Sequence, residues 1–119
     1  MLKKAHRLST KQFMEVMEKG RIITSPLFVV RMLVNKPETG VNNQNISGIS
    51  AVTPKKIAVT AVMRNRIRRQ IYAAVRPLKN TLTPGISLII FAKQEALKAD
   101  TASMSADLKQ LFVKARIGV

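Results

Sequence analysis

Residues Arg64–Arg69 hold four arginines in six positions, at the start of a stretch with the periodicity of an amphipathic helix. No Asp or Glu occurs between Glu38 and Glu95 to neutralise them. A guanidinium stays charged near neutral pH, and its planar fork of donors matches phosphate oxygens in pairs. A helix crowded in this way repels itself unless its charged side meets a polyanion. The sequence therefore predicts an amphipathic helix with one buried side and one side suited to nucleic acid.

Composition supports a folded, strongly basic protein. The chain has 119 residues, 21 Lys and Arg against 6 Asp and Glu, and a formal net charge of +15. Such an excess favours partners of opposite sign. The apolar fraction of 46% argues against a disordered basic tail, because periodic Val, Ile and Leu can form a core. We expect residues 1–119 to form a single RNA-binding domain with one modest core.

The chemistry of many enzymes is missing from this composition. There is no cysteine, His6 is the single histidine, and the six acidic residues are scattered. A protein nuclease needs clustered carboxylates for metal ions or a histidine acid–base pair. We therefore expect no catalytic residue, no metal site and no cofactor bound by the protein alone. No apolar stretch follows Met1–Lys4, and the run Ile86–Ala92 is too short to span a bilayer. We expect a cytoplasmic protein without membrane contact.

Hydrophobic periodicity predicts the element order α-β-β-β-α-β-α. The predicted elements are a helix over Ser9–Gly20, strands at Ile22–Ile23, Leu27–Val34 and Ser47–Thr53, the basic helix from 58–61 to Arg76, a buried strand over Ile86–Ala92 and a helix over Met104–Ala115. Gly20 suits the left-handed position after a last helical turn, and Pro77 should stop the basic helix. Lys36–Asn45 is predicted as an exposed loop and Pro84–Gly85 as a turn. The strand–helix–strand unit in the second half implies a crossover with parallel pairing.

The second strand and the basic helix each have two distinct faces. In the strand, one face is wholly apolar and should meet the core (Phe28, Val30, Met32, Val34), while the other carries a charge and should be wetter (Leu27, Val29, Arg31, Leu33). In the helix, the apolar arc holds Met63, Ile67, Ile71, Ala74 and Val75, and the polar arc holds Asn65, Arg66, Arg68, Arg69, Tyr72 and Arg76. Arg64 falls among the apolar positions, so its stem should pass the helix end. Lys55, Lys56 and Lys79 flank this basic surface.

Aromatic residues are few. Phe28, Phe91 and Phe112 occupy core-like positions, whereas Phe13 and Tyr72 could either pack or stack on bases. Binding of single strands without sequence preference commonly uses aromatic platforms. A chain with so few aromatics is better suited to reading phosphates, which position a nucleic acid without reading its sequence.

The basic segment resembles the signature of a known family. Lys55-Lys56, a short apolar spacer and Val62–Arg69 are similar to the motif of the bacterial ribonuclease P protein subunit. The resemblance extends over nearly the whole chain, through Met1–Lys4, the helix that carries Phe13 and ends at Lys19-Gly20, the strand from Phe28, and Phe91-Ala92-Lys93.

The resemblance implies a fold and a function. The fold would be an α/β (α+β) sandwich, ribosomal-protein-S5-domain-2-like, with a left-handed βαβ crossover. The protein, itself monomeric, would join a catalytic RNA that removes the 5′ leader of precursor tRNA with Mg²⁺. The nucleophile would not come from the protein.

The resemblance also assigns residues. The contacts with the catalytic RNA would come from Lys55, Lys56, Arg64, Asn65, Arg66, Arg68 and Arg69. The cleft for the precursor-tRNA leader would be lined by Phe13, Met17, Val29, Arg31 and Tyr72. The family usually has an aromatic where Met17 stands, and often one where Arg31 stands. Their replacement shifts the expected leader binding toward phosphate contact and thioether packing.

Two other functions remain open at this point. A structural RNA-binding protein, such as a small ribosomal protein, explains the charge and the size equally well. A sequence-specific DNA-binding protein is the third possibility, but the sequence shows no helix-turn-helix spacing.

Overall fold

The computed structural model describes residues 10–34, 48–81 and 86–115. Its elements are α1 (Thr10–Lys19), β1 (Arg21–Thr24), β2 (Phe28–Val34), β3 (Gly48–Val52), α2 (Ala61–Val75), β4 (Ile86–Ala92) and α3 (Thr101–Lys114). This confirms the predicted order of helices and strands. Two 3₁₀ helices, Arg76–Thr81 and Gln94–Lys98, were not predicted. The predicted loop over 36–45 and the predicted turn at 84–85 lie outside the described residues.

The four strands form one sheet in the order β1-β2-β4-β3. β2 pairs antiparallel with β1 and β4, with Phe28 opposite Ala92 and Val30 opposite Ile90. β3 pairs parallel with β4, and α2 connects the two. A parallel pair cannot be joined by a tight turn. The predicted crossover and parallel pairing are therefore both confirmed.

The core lies between the inner face of the sheet and helices α2 and α3. Phe28, Val30 and Met32 are buried on this face, as their alternation predicts; the side chain of Val34 lies outside the described set. The helices contribute Ile67, Ile71, Ala74, Val75, Met104, Leu108, Leu111 and Phe112. Each large apolar side chain buried here stabilises the fold by about 1.5–3 kcal/mol. The apolar stripes predicted for both helices are thus the ones that pack.

The outer face of the sheet is covered in part by α1. Val16 of α1 and Ile89 of β4 are fully buried, and α1 packs on β2 and β4. Val29 and Arg31 are only half-buried, which confirms the prediction of a wetter face. Phe91 lies opposite Val29 and is also half-buried, so its assignment to the core is wrong. A continuous apolar run does not reveal which of its residues another element covers: Ile89 is fully buried and Phe91 is not.

One helix end differs from the sequence expectation and one agrees with it. Gly20 does end α1, but its backbone is not left-handed. Glycine is needed there because a Cβ would lie 2.5 Å from the carbonyl oxygen of Val16, to which the Gly20 amide donates at 2.8 Å. α2 ends at Val75 with Arg76 as its C-cap, which confirms the predicted stop before Pro77, and the 3₁₀ helix Arg76–Thr81 follows. Proline lacks an amide hydrogen, but a new helical segment tolerates it near its start.

Candidate nucleic-acid interface

Helix α2, which carries the basic segment, begins at Ala61 after a capping residue. Thr60 is its N-cap, and the Thr60 hydroxyl accepts a hydrogen bond from the Met63 amide at 3.2 Å. A cap of this kind satisfies one of the amides that a helix start leaves unpaired. The predicted start within 58–61 is confirmed. The buried side of α2 then fixes which side faces outward.

The outward side of α2 is cationic. Asn65, Arg66, Arg68 and Arg69 are all exposed. The Arg68 guanidinium donates to the side-chain oxygen of Asn65, one turn earlier. With no acidic residue between Glu38 and Glu95, this surface has no carboxylate of its own segment to neutralise it. It presents guanidinium groups at the spacing of successive helical turns.

Arg64 differs from its neighbours because it is held by the fold. Its Nη1 donates to the carbonyl oxygens of Ala58 at 3.0 Å and Val59 at 2.8 Å. The side chain is half-buried and reaches back past the start of α2, as its place among the apolar positions predicts. Arg64 therefore fastens the segment before α2 and offers fewer donors to a ligand than Arg66 does.

Lys55 and Lys56 lie in the turn between β3 and α2. The amides of Ile57 and Ala58 donate to the carbonyl oxygen of Pro54 at 3.0 and 3.1 Å, which closes this turn tightly. Both lysines are exposed. The turn leads into α2, and Lys56 also borders the outer face of the sheet, where it lines a cleft together with Val29 and Arg31.

An open cleft of about 610 Å³ lies on that outer face, beside the end of α1. It is lined by Met17, Val29, Arg31, Pro54, Lys56, Ile57, Phe91, Ala92, Lys93, Gln94 and Glu95. The structure thus brings together Met17, Val29 and Arg31, three of the residues assigned to the leader cleft. Phe13 is half-buried on α1 and is not part of the lining.

Arg31 is anchored within this cleft. Its Nη1 donates to the carbonyl oxygen of Met17 at 2.9 Å. The carbonyls of a last helical turn have no partner within the helix, and a cation stabilises them. Arg31 therefore caps the end of α1 and fixes the wall of the cleft that Met17 forms.

Tyr72 was assigned to the polar arc and to the cleft, and the structure corrects this placement. The side chain is only 6% exposed, and its hydroxyl accepts a hydrogen bond from the Ala51 amide at 3.2 Å. Tyr72 stands at the border of the apolar arc, where its ring can pack on β3 while its hydroxyl meets the strand backbone. Buried in this way, the ring offers no face to a base.

Several lining residues were not assigned to the cleft from the sequence, and two of them, Phe91 and Lys93, have side chains suited to contact with RNA. Phe91 gives the cleft an aromatic side chain, and only the pairing of β4 with β2 shows that it shares a face with Val29. Lys93 follows β4, and its ammonium donates to the carbonyl oxygen of Ser25 at 3.0 Å. A lysine directly after an apolar strand carries no periodic signal of its own.

Within residues 10–34, 48–81 and 86–115, no three His, Cys, Asp or Glu side chains are grouped closely enough to hold a metal ion. His6 lies outside these residues. No helix in the same ranges has the length and apolar character needed to cross a bilayer.

The fold and the surface together define a class of protein, a small α+β protein with a basic helix and an open cleft. The turn that leads into the basic helix contributes Lys56 to the cleft. The family model of ribonuclease P matches residues 2–116, so the chain belongs to the ribonuclease P protein family. Membership makes it the protein component of a tRNA-processing ribonuclease and implies a partnership with the RNA of that enzyme. A small ribosomal protein, the alternative left open by the sequence, is not favoured.

The chain is similar to curated relatives over almost its full length. The ribonuclease P protein component of Rippkaea orientalis is 30% identical over 117 residues, which cover 98% of this chain and 91% of the relative. That of Lactobacillus helveticus is 32% identical over 117 residues, with the same coverage of both chains.

Solved structures show the same fold. The RNase P protein of Staphylococcus aureus superimposes with a TM-score of 0.76 at 23% identity, covering 98% of this chain and 100% of that one. The RNase P protein from Thermotoga maritima gives a TM-score of 0.73 at 19% identity, covering 91% of this chain and 96% of that one.

Proposed function

We propose that the exposed side of α2 binds the catalytic RNA of ribonuclease P, while the cleft binds the single-stranded 5′ leader of precursor tRNA. The protein would assist Mg²⁺-dependent removal of the leader, with the catalytic groups on the RNA. It would act in the cytoplasm as a monomer and as one RNA-binding domain. The observations that carry this proposal are the exposed cationic side of α2 and an open, largely apolar cleft, with Lys56, from the turn that leads into α2, in the lining of the cleft.

The α2 surface suits a folded RNA. Arg66 and Arg69 are exposed and can each bind phosphate oxygens in pairs. Contacts of this kind fix the position and orientation of a nucleic acid rather than read its bases. In the proposed function the RNA carries the catalytic groups. The protein then needs only to hold that RNA in position, and phosphate contacts suffice for this.

The cleft suits a single strand. Val29 and Phe91 supply apolar and aromatic surface, while Lys56 and Lys93 supply positive charge at its edges. Proteins that bind single strands combine stacking surfaces with cations that follow the backbone. Phe91 offers the stacking surface that the family usually draws from the positions of Met17 and Arg31.

Reconstitution tests the proposal. The protein is combined with a bacterial ribonuclease P RNA and a precursor tRNA at low Mg²⁺, and cleavage is compared with that by the RNA alone. We expect the protein to accelerate cleavage. We also expect the holoenzyme to bind a precursor with a leader of several nucleotides more tightly than one with a single leader nucleotide. Unchanged cleavage contradicts the proposal.

Salt dependence tests its electrostatic part. If the leader is held through n phosphates, the logarithm of affinity falls with the logarithm of salt at a slope of about −0.7n, roughly −2 to −4 for a few contacts. A flat response contradicts binding through phosphates. Sequencing the RNA that co-purifies with the tagged protein distinguishes ribonuclease P RNA from ribosomal RNA.

A further inference from the structure

Asp107 of α3 holds the turn between β1 and β2. The Ser25 hydroxyl donates to Asp107 Oδ2 at 2.5 Å, and the Leu27 amide donates to the same oxygen at 3.3 Å. Ser25 is tied in turn to Phe28, whose amide donates to the Ser25 hydroxyl oxygen at 3.0 Å. Short bonds from a hydroxyl to a carboxylate are among the stronger hydrogen bonds in proteins. One carboxylate from α3 therefore helps to hold this turn, which is also closed by a hydrogen bond from the Ser25 amide to the carbonyl oxygen of Phe28 at 2.8 Å.

The same turn holds Lys93. The Lys93 ammonium donates to the carbonyl oxygen of Ser25 at 3.0 Å, and the Lys93 amide donates to the carbonyl oxygen of Leu27 at 2.9 Å. Both ends of the residue are thus bonded to the turn that Asp107 fixes. An ammonium has three donors, and one is used by Ser25. Lys93 is half-buried and lines the cleft, so the other donors can serve a ligand there.

We propose that Lys93 binds a leader phosphate in the cleft and that Asp107, acting through Ser25, is its positioning residue. The inference rests on the proposed function, in which the leader occupies this cleft. Lysine loses much side-chain freedom when it is held in one place. The bond to Ser25 meets part of that cost in the free protein, which favours affinity.

The other cations of the cleft do not have this arrangement. Arg31 gives a donor to Met17 and so supports the cleft wall. Lys56 is exposed in a surface turn. Lys93 alone among these three is linked through a turn to a carboxylate of another element.

The test uses the reconstituted holoenzyme and precursor tRNA with long and short leaders. Lys93→Met should weaken leader-dependent binding about tenfold, the size expected for one charged hydrogen bond. It should also make the salt slope shallower by about 0.7. Lys93→Arg should restore most of the affinity. Lys98→Met removes the same charge from an exposed position outside the cleft and should change neither quantity.

A double-mutant cycle tests the role of Asp107. Asp107→Asn should weaken leader-dependent binding about threefold in the wild-type background and not at all in the Lys93→Met background, because coupled residues are not additive. Ser25→Ala should behave like Asp107→Asn, and Ser25→Thr, which keeps the hydroxyl, should not. The effect should appear in KM and leave kcat unchanged, because a leader contact acts on binding.

The outcomes separate this inference from the proposed function. If wild-type holoenzyme binds long and short leaders equally, the proposed leader cleft is wrong. If wild type binds the long leader more tightly than the short one and Lys93→Met shows the same preference, Lys93 does not bind a leader phosphate. If Asp107→Asn and Ser25→Ala weaken binding by the same factor with and without Lys93, Asp107 acts on the fold generally and the positioning role is overturned. Lys93 is only half-buried and follows the end of β4, so we expect Lys93→Met to fold. Wild type and Lys93→Met can therefore be compared even where Asp107→Asn fails to fold.

Discussion

The guanidinium of Arg31 donates to the carbonyl oxygen of Met17 at 2.9 Å and so joins the outer face of the sheet to the end of α1. The family resemblance in the sequence implies aromatic residues at these two positions, and this chain has Met and Arg there. Here the pair forms one structural unit. Met17 supplies a flexible apolar surface, and Arg31 fixes the helix turn that carries it. The cleft wall therefore depends on a hydrogen bond where an aromatic pair would depend on packing.

Replacing Arg31 should cost stability as well as affinity. We expect Arg31→Met to lower the free energy of unfolding by about 1 kcal/mol, because a last-turn carbonyl loses a charged donor at a half-exposed site. Leader affinity should fall as the Met17 wall loosens. Urea denaturation measures the first quantity. Arg21→Met, which removes an exposed charge from β1, is the matched control and should be nearly neutral. Equal stability of the two variants contradicts the capping role.

The arginines of α2 should separate into two groups. Arg66→Ala should weaken binding to the catalytic RNA with little change in melting temperature, since Arg66 is exposed on the helix surface. Arg64→Ala should lower both the affinity for RNA and the melting temperature, because Nη1 of Arg64 donates to the carbonyl oxygens of Ala58 and Val59. Thermal denaturation and RNA binding are measured on both variants. Equal losses of melting temperature for the two variants count against this division.

Tyr72 and Phe91 should exchange the roles that the sequence assigned to them. Tyr72→Phe leaves the buried Ala51 amide without its acceptor, which should cost about 1–3 kcal/mol of stability without weakening RNA binding by the folded protein. Phe91→Leu should reduce the free energy of leader binding more than the free energy of unfolding, because Phe91 is half-buried in the cleft. Denaturant titrations and leader-dependent affinities on both variants check the exchange. Loss of leader affinity in Tyr72→Phe, measured where the variant is fully folded, contradicts it.

Short-range periodicity predicted most of the fold. The inner face of β2 and the apolar stripe of α2 are properties of residues two to four positions apart, and burial follows them closely. The cationic side of α2 is the complement of that stripe. Val29 and Arg31 were placed correctly for the same reason, as members of the strand face that carries a charge.

The errors arose where burial depends on which distant element covers a residue. Phe91 is only half-buried because its face of the sheet is not fully covered, and Tyr72 is buried with its hydroxyl bonded to the Ala51 amide of β3. Lys93 bonds to a residue 68 positions away, and Ser25 bonds to one 82 positions away. No pattern within a single segment contains such pairings.

Asp100 gives a prediction for the pH dependence of stability. It is the N-cap of α3, and its carboxylate accepts a hydrogen bond from the Ser103 amide at 2.7 Å. This backbone hydrogen bond is the main cause that lowers the pKa of Asp100 below its ordinary value of 3.8. A carboxyl with a lowered pKa in the folded state binds protons more readily when the chain is unfolded. Its contribution is therefore complete above the ordinary pKa and is lost as the pH falls through the folded-state pKa.

Asp100→Asn isolates this contribution, because an amide oxygen can still cap the helix but does not titrate. We expect wild type to be the more stable protein near neutral pH and the difference to shrink as the solution is acidified below the ordinary pKa of an Asp. Thermal denaturation of both proteins from about pH 7 to about pH 2 measures the difference. Glu18→Gln, at an exposed position of α1, is the control for general loss of negative charge. A difference between wild type and Asp100→Asn that stays constant over this range would show that the cap does not depend on the charge of the carboxylate.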